Sequence, residues 1–388
     1  MHEMKETLSE CIRTLRGPLE EIAHAIHDFA EIGFTEHKSS EYLRNHLENH
    51  GFEVEVPRGL DTAFVARLPG PPESGSVGYV AEYDALPDLG HACGHNLIAA
   101  AAVGAALTLK GAGLNEVGSV FVFGTPAEEG GGGKVLMADR GYFNSCDCVF
   151  YFHPGHMAEL YGKTLALASG EITHTGVPSH AQVSPEAGRD ALKAMMMTFS
   201  MLDANGYSFP NSTRIGRIIK EGGSNPFIVP ERCIGEVILS CDSLSDVNRL
   251  KQTMQNCVQG AALAFGTSGV CMEKMRYKNT IPNSTLNGVV AEALSTVGVP
   301  FSKERLAMVS SDIGDASQVT ALGGFRLPVL KQTPPYHTRA FAECCKLPEA
   351  IKMVQEAVLV LSLCGWKVVS NAEVRDKARQ EFNRASEK

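Results

Sequence analysis

The sequence predicts an α/β protein in which a mixed sheet flanked by helices is interrupted by a smaller inserted domain. Three observations predict it. Short apolar, β-rich runs alternate with helical patterns over residues 1–164. From about Leu165 the order becomes β-α-β-β-α-β, the pattern of a ferredoxin-like split βαβ sandwich. After residue 279 helix and strand material returns. Residues 1–164 and 280–388 are therefore expected to form one domain and residues 165–279 the insertion. With 388 residues and 44% hydrophobic content, the chain can bury a large core in such an arrangement.

Taken in order, Leu8, Ile12, Leu15, Leu19, Ile22, Ile26 and Phe29 recur at helical spacing, which predicts an opening helix from Met4 to Ala30, interrupted near Gly17-Pro18. Thr35 is placed to cap a second helix that reaches Asn49 and stops at Gly51. The runs "TAFVARLP", "SVGYVAEYDAL", "GSVFVFGTPAEE" and "CDCVFYFHPG" read as strands. Between them lie an alanine-rich helix from Asn96, its cap, to Lys110, and another from Gly132 to Asp139. In the insertion, "TLALASGEITHTGVPSHA" begins as a strand, "GRDALKAMMMTFSMLDA" is helical, "TRIGRIIKEGG" and "RCIGEVILSCD" are strands, "LSDVNRLKQTMQNCVQGAALAFG" is helical, and "VCMEKMRY" is the last strand. "NTIPNSTLNGVVAEALSTVG" then resumes the first domain with a helix.

A formal net charge of −9 speaks against a nucleic-acid surface or a basic membrane patch, since both need a positive excess. No apolar run is long enough to span a bilayer, and "MHEMKETLSECIRTL" carries carboxylates where a signal peptide would be basic and then apolar, so a cytoplasmic protein is expected. The eleven cysteines are odd in number and follow no framework of spacings, which fits reduced thiols. Cys146 and Cys148, one residue apart in an apolar strand, read as buried small residues rather than ligands.

The chemistry begins at "GHACGHNL", where His91, Cys93 and His95 occupy alternate positions between a strand and a helix. Residues two apart on extended backbone face the same way, so Cys93 and His95 can meet one point. By spacing alone the segment fits hydrogen-bonded structure, a thiol with a base, or half of a metal site. "FVFGTPAEEGGGGK" then runs a strand into Glu128 and Glu129 and four glycines. Adjacent residues point to opposite sides, so one acid can bind a metal while the other faces the reacting water. Hydrolysis needs that division. A phosphate loop is excluded, because Glu128 stands where a glycine is needed and Val135 where Ser or Thr is needed. His153 ends the strand "VFYFHPG", and His337 lies at a proline turn in "PPYHTRAF". With one acid of the pair, Cys93, His95, His153 and His337 are too many for a single closed structural zinc. They suit two metals that share a thiolate.

In this order, "AEYDALP", "HACGHNLIAAAAVGAA", "GTPAEEGGGGK", "FHPG", "GVPSHA", "GGSNPFIVP", "NTIPNSTL" and "YHTRAF" extend over nearly the whole chain. The chain resembles the zinc/manganese metallopeptidases that include aminoacylases and carboxypeptidase G. Within them it is similar to the amidohydrolase branch, above all to Xaa-Arg and β-alanyl-lysine dipeptidases and aminobenzoyl-glutamate hydrolase. The resemblance implies a catalytic domain holding two divalent ions, Mn²⁺ or Zn²⁺, and a lid domain that forms a homodimer or higher homo-oligomer. It implies metal ligation by Cys93, as the bridge, with His95, Glu129, His153 and His337, and Glu128 as general acid/base. His180 in "GVPSHA" would steady the oxyanion of a site across the dimer, and Asn225 in "GGSNPFIVP" would help hold the substrate.

One departure is Gly216-Arg217, where His-Gly is expected; Arg217 could clamp a substrate carboxylate or be a solvated strand residue. Asp84, Asp312 and His91 are read as orienting neighbours. The expected activity is metal-dependent hydrolysis of an amide bond in a small substrate with a free carboxylate, a dipeptide or an N-acyl amino acid. The alternatives are an aryl-amide hydrolase of the aminobenzoyl-glutamate type, a thiol hydrolase with Cys93 as nucleophile and His91 or His95 as base, and a non-catalytic binding protein. The last is disfavoured because no ligand position carries an inert residue.

Overall fold

The computed structural model describes residues 1–72, 74–303 and 309–386. The chain opens with α1 (His2–Phe29), α2 (His37–Asn49), β1 (Glu53–Glu55), β2 (Phe64–Leu68) and β3 (Gly75–Glu82). It continues with α3 (His95–Gly111), β4 (Gly118–Thr125), α4 (Gly133–Asp139), β5 (Cys148–Gly155) and β6 (Glu159–Leu160). There follow β7 (Ala166–Thr175), α5 (Ala191–Ala204), β8 (Arg214–Glu221), β9 (Arg232–Cys241), α6 (Leu244–Phe265) and β10 (Ser268–Tyr277). The last stretch holds α7 (Ser284–Val297), α8 (Ile313–Ser317), β11 (Ala321–Pro328), α9 (Arg339–Cys344), α10 (Pro348–Val369) and α11 (Ala372–Ser386).

These elements form two compact units. The first takes Met1–Lys163, the chain that follows Thr280, and Asp315 onward; the second takes Thr164–Asn279 and a short segment ending at Gly314. That segment is tied into the second unit by the Leu165 N–H, which donates to Val309 O at 2.9 Å.

In the first unit a seven-stranded sheet has the order β1-β2-β4-β3-β5-β11-β6. Its centre is parallel, with β4, β3, β5 and β11 side by side, and its edges are antiparallel. Parallel strands are covered on both faces and read as continuous apolar runs, as β4 does: all its residues are buried. The alanine-rich α3 is buried along its length from His95 to Leu109, so it is a core helix rather than an amphipathic surface one. Small side chains let its neighbours close in: a Cβ at Gly104 would lie 2.5 Å from Leu19 of α1 and 2.7 Å from Val358 of α10.

Three local expectations are corrected. The opening helix runs through Pro18 without interruption. An interior proline costs about 3 kcal/mol, but α1 buries Leu8, Ile12, Leu19, Ile22 and Ile26 on one stripe, and breaking the helix would unseat half of it. Thr35 does not cap α2; its hydroxyl donates to Ile32 O, and the N–H groups of Lys38 and Ser39 donate instead to the Glu31 carboxylate. Asn96 does not cap α3 either. It lies inside the helix, buried, with Nδ2 donating to Ala23 O at 3.0 Å, which ties α3 to α1.

The second unit is a four-stranded antiparallel sheet of order β10-β7-β9-β8, with α5 and α6 packed on it around Met195, Leu202, Val237, Leu250 and Val258. Asp190 and Ser243 cap the two helices through their side chains, as their residue types predict. No single helix among the described residues is long and apolar enough to cross a membrane.

Candidate metal centre

Strand ends and the loops after them bring the ligand-type residues of the first unit together. Cys93 and His95 lie at the entry to α3, Glu128 and Glu129 follow β4, His153 is near the end of β5, and His337 precedes α9. Their ligand atoms fall into three groups within 4.8 Å: Cys93 with His95 and His153, Cys93 with Glu129 and His337, and His95 with Glu128 and Glu129. Cys93 is common to the first two, so one sulfur stands between two sets of donors.

The loop after β4 adopts its shape through specific contacts. Ala127 sits in left-handed backbone, φ 56°, and the N–H groups of Gly131 and Gly132 donate to its carbonyl. A Cβ at Gly133 would lie 2.0 Å from Pro126 O, so the turn cannot form around a larger residue. Glu36, buried beneath the loop, accepts the Ala127 N–H at 2.8 Å. His337 also has positive φ, 59°, and its N–H donates to Ala92 O at 2.9 Å. Non-glycine residues held in this region are costly and cluster where geometry is demanded.

Two of the imidazoles are oriented by hydrogen bonds at Nδ1. His95 Nδ1–H donates to Asp84, 2.9 Å to Oδ1 and 3.0 Å to the carbonyl, and His153 Nδ1–H donates to Pro154 O at 2.6 Å. In both rings the Nε2 lone pair is left to face the cluster: His153 Nε2 is 3.6 Å from Cys93 Sγ and His95 Nε2 3.8 Å from Glu128 Oε2. Asp84 also accepts the Glu129 N–H at 2.9 Å, so one carboxylate orients two donors.

A divalent cation fits these residues. His95 Nε2 and Glu129 Oε1 are buried with no hydrogen-bond partner, a costly state that a cation relieves. Burial pushes the Cys93 thiol up to about 12. A cysteine nucleophile needs the opposite shift, whereas a coordinated thiol is deprotonated outright. This counts against the thiol-enzyme reading. His91 is apart from the cluster: its Nε2–H donates to Ile26 O at 2.9 Å, and burial holds its pKa near 3, so it is a neutral anchor to α1.

Glu36 belongs to the same neighbourhood, although no motif in the sequence marks it. Burial raises its pKa from 4.5 to about 7, with the Asp84 charge adding to the effect. A carboxyl raised on folding contributes stability that is complete below pH 4.5 and lost as pH rises through 7. In metal-free protein, Glu36→Gln is expected to match wild type at pH 4.5 and exceed it at pH 8 by up to about 3 kcal/mol, at about 1.4 kcal/mol per pKa unit. Denaturant melts at the two pH values check this.

In the second unit, His180 and Asn225 lie on adjoining loops. His180 bridges to Ile228, Ala181 N–H donates to Phe227 O, and Phe227 N–H donates to Asn225 Oδ1. His180 Nδ1 accepts the N–H groups of Gln182 and Val183 at 3.3 and 3.2 Å, which places the ring proton on Nε2, an outward donor on an exposed side chain. Arg217 is engaged within its own unit: its guanidinium makes paired bonds of 2.7 and 2.5 Å to Asp203 and lies over the Phe199 ring. The fork that would clamp a substrate carboxylate is taken up by Asp203.

The model of peptidase family M20/M25/M40 matches residues 78–359. Over 98% of this chain and 92% of its counterpart, the sequence is 31% identical to the Xaa-Arg dipeptidase of Mus musculus. It is also 31% identical to one of the p-aminobenzoyl-glutamate hydrolase polypeptides of Escherichia coli, over 79% of this chain and 68% of that one. Among solved structures, a dinuclear metal binding peptidase from the M20 family of Bacillus subtilis superposes with a TM-score of 0.70, at 17% identity, over 92% of this chain and all (100%) of the other.

Proposed function

Because the chain belongs to peptidase family M20/M25/M40, we propose that it hydrolyses the amide bond of a small substrate with a free carboxylate, a dipeptide or an N-acyl amino acid, at a two-metal centre. The observation that carries this reading is Cys93 shared between two donor groups, one with His95 and His153 and one with Glu129 and His337.

These five residues would hold the ions. Two bound divalent cations supply Lewis acidity, which lowers the pKa of water and polarises the scissile carbonyl. Glu128, beside the ligands, takes the proton from the attacking water and returns it to the leaving amine nitrogen as the C–N bond breaks. Asp84 keeps His95 in its ligating tautomer throughout. Thiolate and imidazole favour Zn²⁺, and the carboxylates suit Mn²⁺ as well.

His180 is assigned as the donor to the developing oxyanion of the site in a second copy of the chain, supported by its Nε2–H, with Asn225 assigned to help hold the substrate. His180→Ala is expected to lower kcat by about 10²–10³-fold with little change in KM, the cost of losing one oxyanion donor; steady-state kinetics decide. We assign the second unit as a ferredoxin-like lid that pairs two copies of the chain. Its edge strand β8 is exposed along most of its length and shows Ile218 and Ile219 to solvent, an unpaired edge suited to a second copy. A cytoplasmic setting fits the eleven free cysteines.

The near full-length likeness to an Xaa-Arg dipeptidase favours dipeptides with a basic second residue. The likeness to an aminobenzoyl-glutamate hydrolase favours aryl amides as the second reading. Amine release over Xaa-Arg, Xaa-Lys and β-alanyl dipeptides, aminobenzoyl-glutamate and N-acyl amino acids separates them. Release from none, with Mn²⁺, Zn²⁺ or Co²⁺ supplied, would overturn the proposal.

A further inference from the structure

Next to the ligand cluster the first unit buries one more pair of opposite charges. Glu82, the last residue of β3, and Lys134, in the first turn of α4, are both fully buried, with Lys134 Nζ 2.8 Å from Glu82 Oε1. Desolvating two ions offsets most of what their pairing returns, and apolar side chains of similar volume often do as well or better. Stability alone therefore does not account for the pair.

The second oxygen of Glu82 does. Oε2 accepts the Tyr151 hydroxyl at 3.1 Å and stands 3.5 Å from His95 Nε2. That nitrogen is one of the buried side-chain atoms without a hydrogen-bond partner, since its ring proton is on Nδ1 and held by Asp84. Two atoms that bind one divalent ion at about 2.0–2.2 Å each are at most about 4.4 Å apart. The 3.5 Å between Oε2 and Nε2 falls inside that span and is shorter than the 3.8 Å from the same nitrogen to Glu128 Oε2. Charge points the same way. Glu82, Asp84, Glu128, Glu129 and a Cys93 thiolate bring one more negative charge than two divalent ions neutralise, and Lys134 carries the remaining positive one.

We propose that Glu82 is a further residue of the metal centre, a carboxylate that faces the ion held by His95, and that Lys134 is the fixed counter-charge that keeps it there. This rests on the two-metal reading above. Tyr151 completes the arrangement by holding Oε2 from the side.

The test is metal binding, with Mn²⁺ and Zn²⁺ measured by competition with a chelator, beside the melting temperature of metal-free protein. In the double variant Glu82→Gln, Lys134→Gln, both charges are replaced by neutral side chains of similar size. Its metal-free melting temperature is expected to stay close to wild type, while at least one ion binds roughly 10-fold more weakly, as for other residues that support a metal site. Glu82→Asp keeps the charge that Lys134 needs but withdraws the carboxylate by one methylene, and it too is expected to weaken binding. A double variant that folds and binds two ions as tightly as wild type would overturn the proposal. If the double variant does not fold, Glu82→Asp decides, and unchanged affinity there has the same force. Wild-type protein that binds no ion would remove the two-metal reading itself, a result distinct from two ions bound alike by wild type and variants.

Discussion

Glu128→Gln is expected to lower kcat by about 10²–10⁴-fold while the purified variant still binds two ions per chain, the size of effect that general acid/base catalysis supplies. Glutamine keeps the shape of the side chain and one oxygen, so the loop after β4 should hold its form: the left-handed Ala127, the glycine turn and the Glu36 contact all lie outside the substituted group. What is lost is the ability to take a proton from water and give it to the amine. KM should change little, because the proton transfers belong to the transition state. Kinetics together with metal analysis check this, and a variant as active as wild type would move the acid/base role elsewhere.

The second large effect is at Cys93. As a shared anionic ligand it is expected to tolerate another anion but not a neutral, non-ligating side chain. Cys93→Ala should lose metal from both sites and with it all measurable activity, because the sulfur is the group common to both donor sets. Cys93→Asp should recover metal binding and part of the activity, since a carboxylate also offers two divalent ions a negative oxygen. A thiol nucleophile predicts otherwise: aspartate would be as dead as alanine, and metal content would not follow activity.

The ligand-type residues were legible in the sequence because metal chemistry admits few residue types and they had to fall at strand ends. Cys93, His95, His153 and His337 qualify by type, and the Glu128-Glu129 pair by its place between an apolar strand and a glycine run. Less legible was whatever depends on burial by distant chain. Pro18 reads locally as a break, yet the stripe from Leu8 to Ile26 carries the helix through it. Thr35 and Asn96 read as caps from their residue types alone, but Glu31 serves α2 and Asn96 is drawn inward to Ala23. Arg217 could be placed on a strand, not paired, because Asp203 is on a different element. Glu82 and Lys134 do carry a signal: an acid at the end of a buried apolar strand and a lysine just past a glycine turn, each too costly to bury without the other. Sheet order lies further still from local pattern, since β11 reaches β5 from far along the chain.

The most direct measurement is amine release by metal-free protein titrated with Mn²⁺ or Zn²⁺, on the best substrate of the dipeptide and acyl-amino-acid panel. The account predicts no turnover without metal, turnover that rises to a plateau near two ions per chain, and insensitivity of the loaded enzyme to thiol alkylation at the half-buried Cys11 and Cys271. Full turnover by the chelated protein, abolished when Cys93 is alkylated, would contradict it.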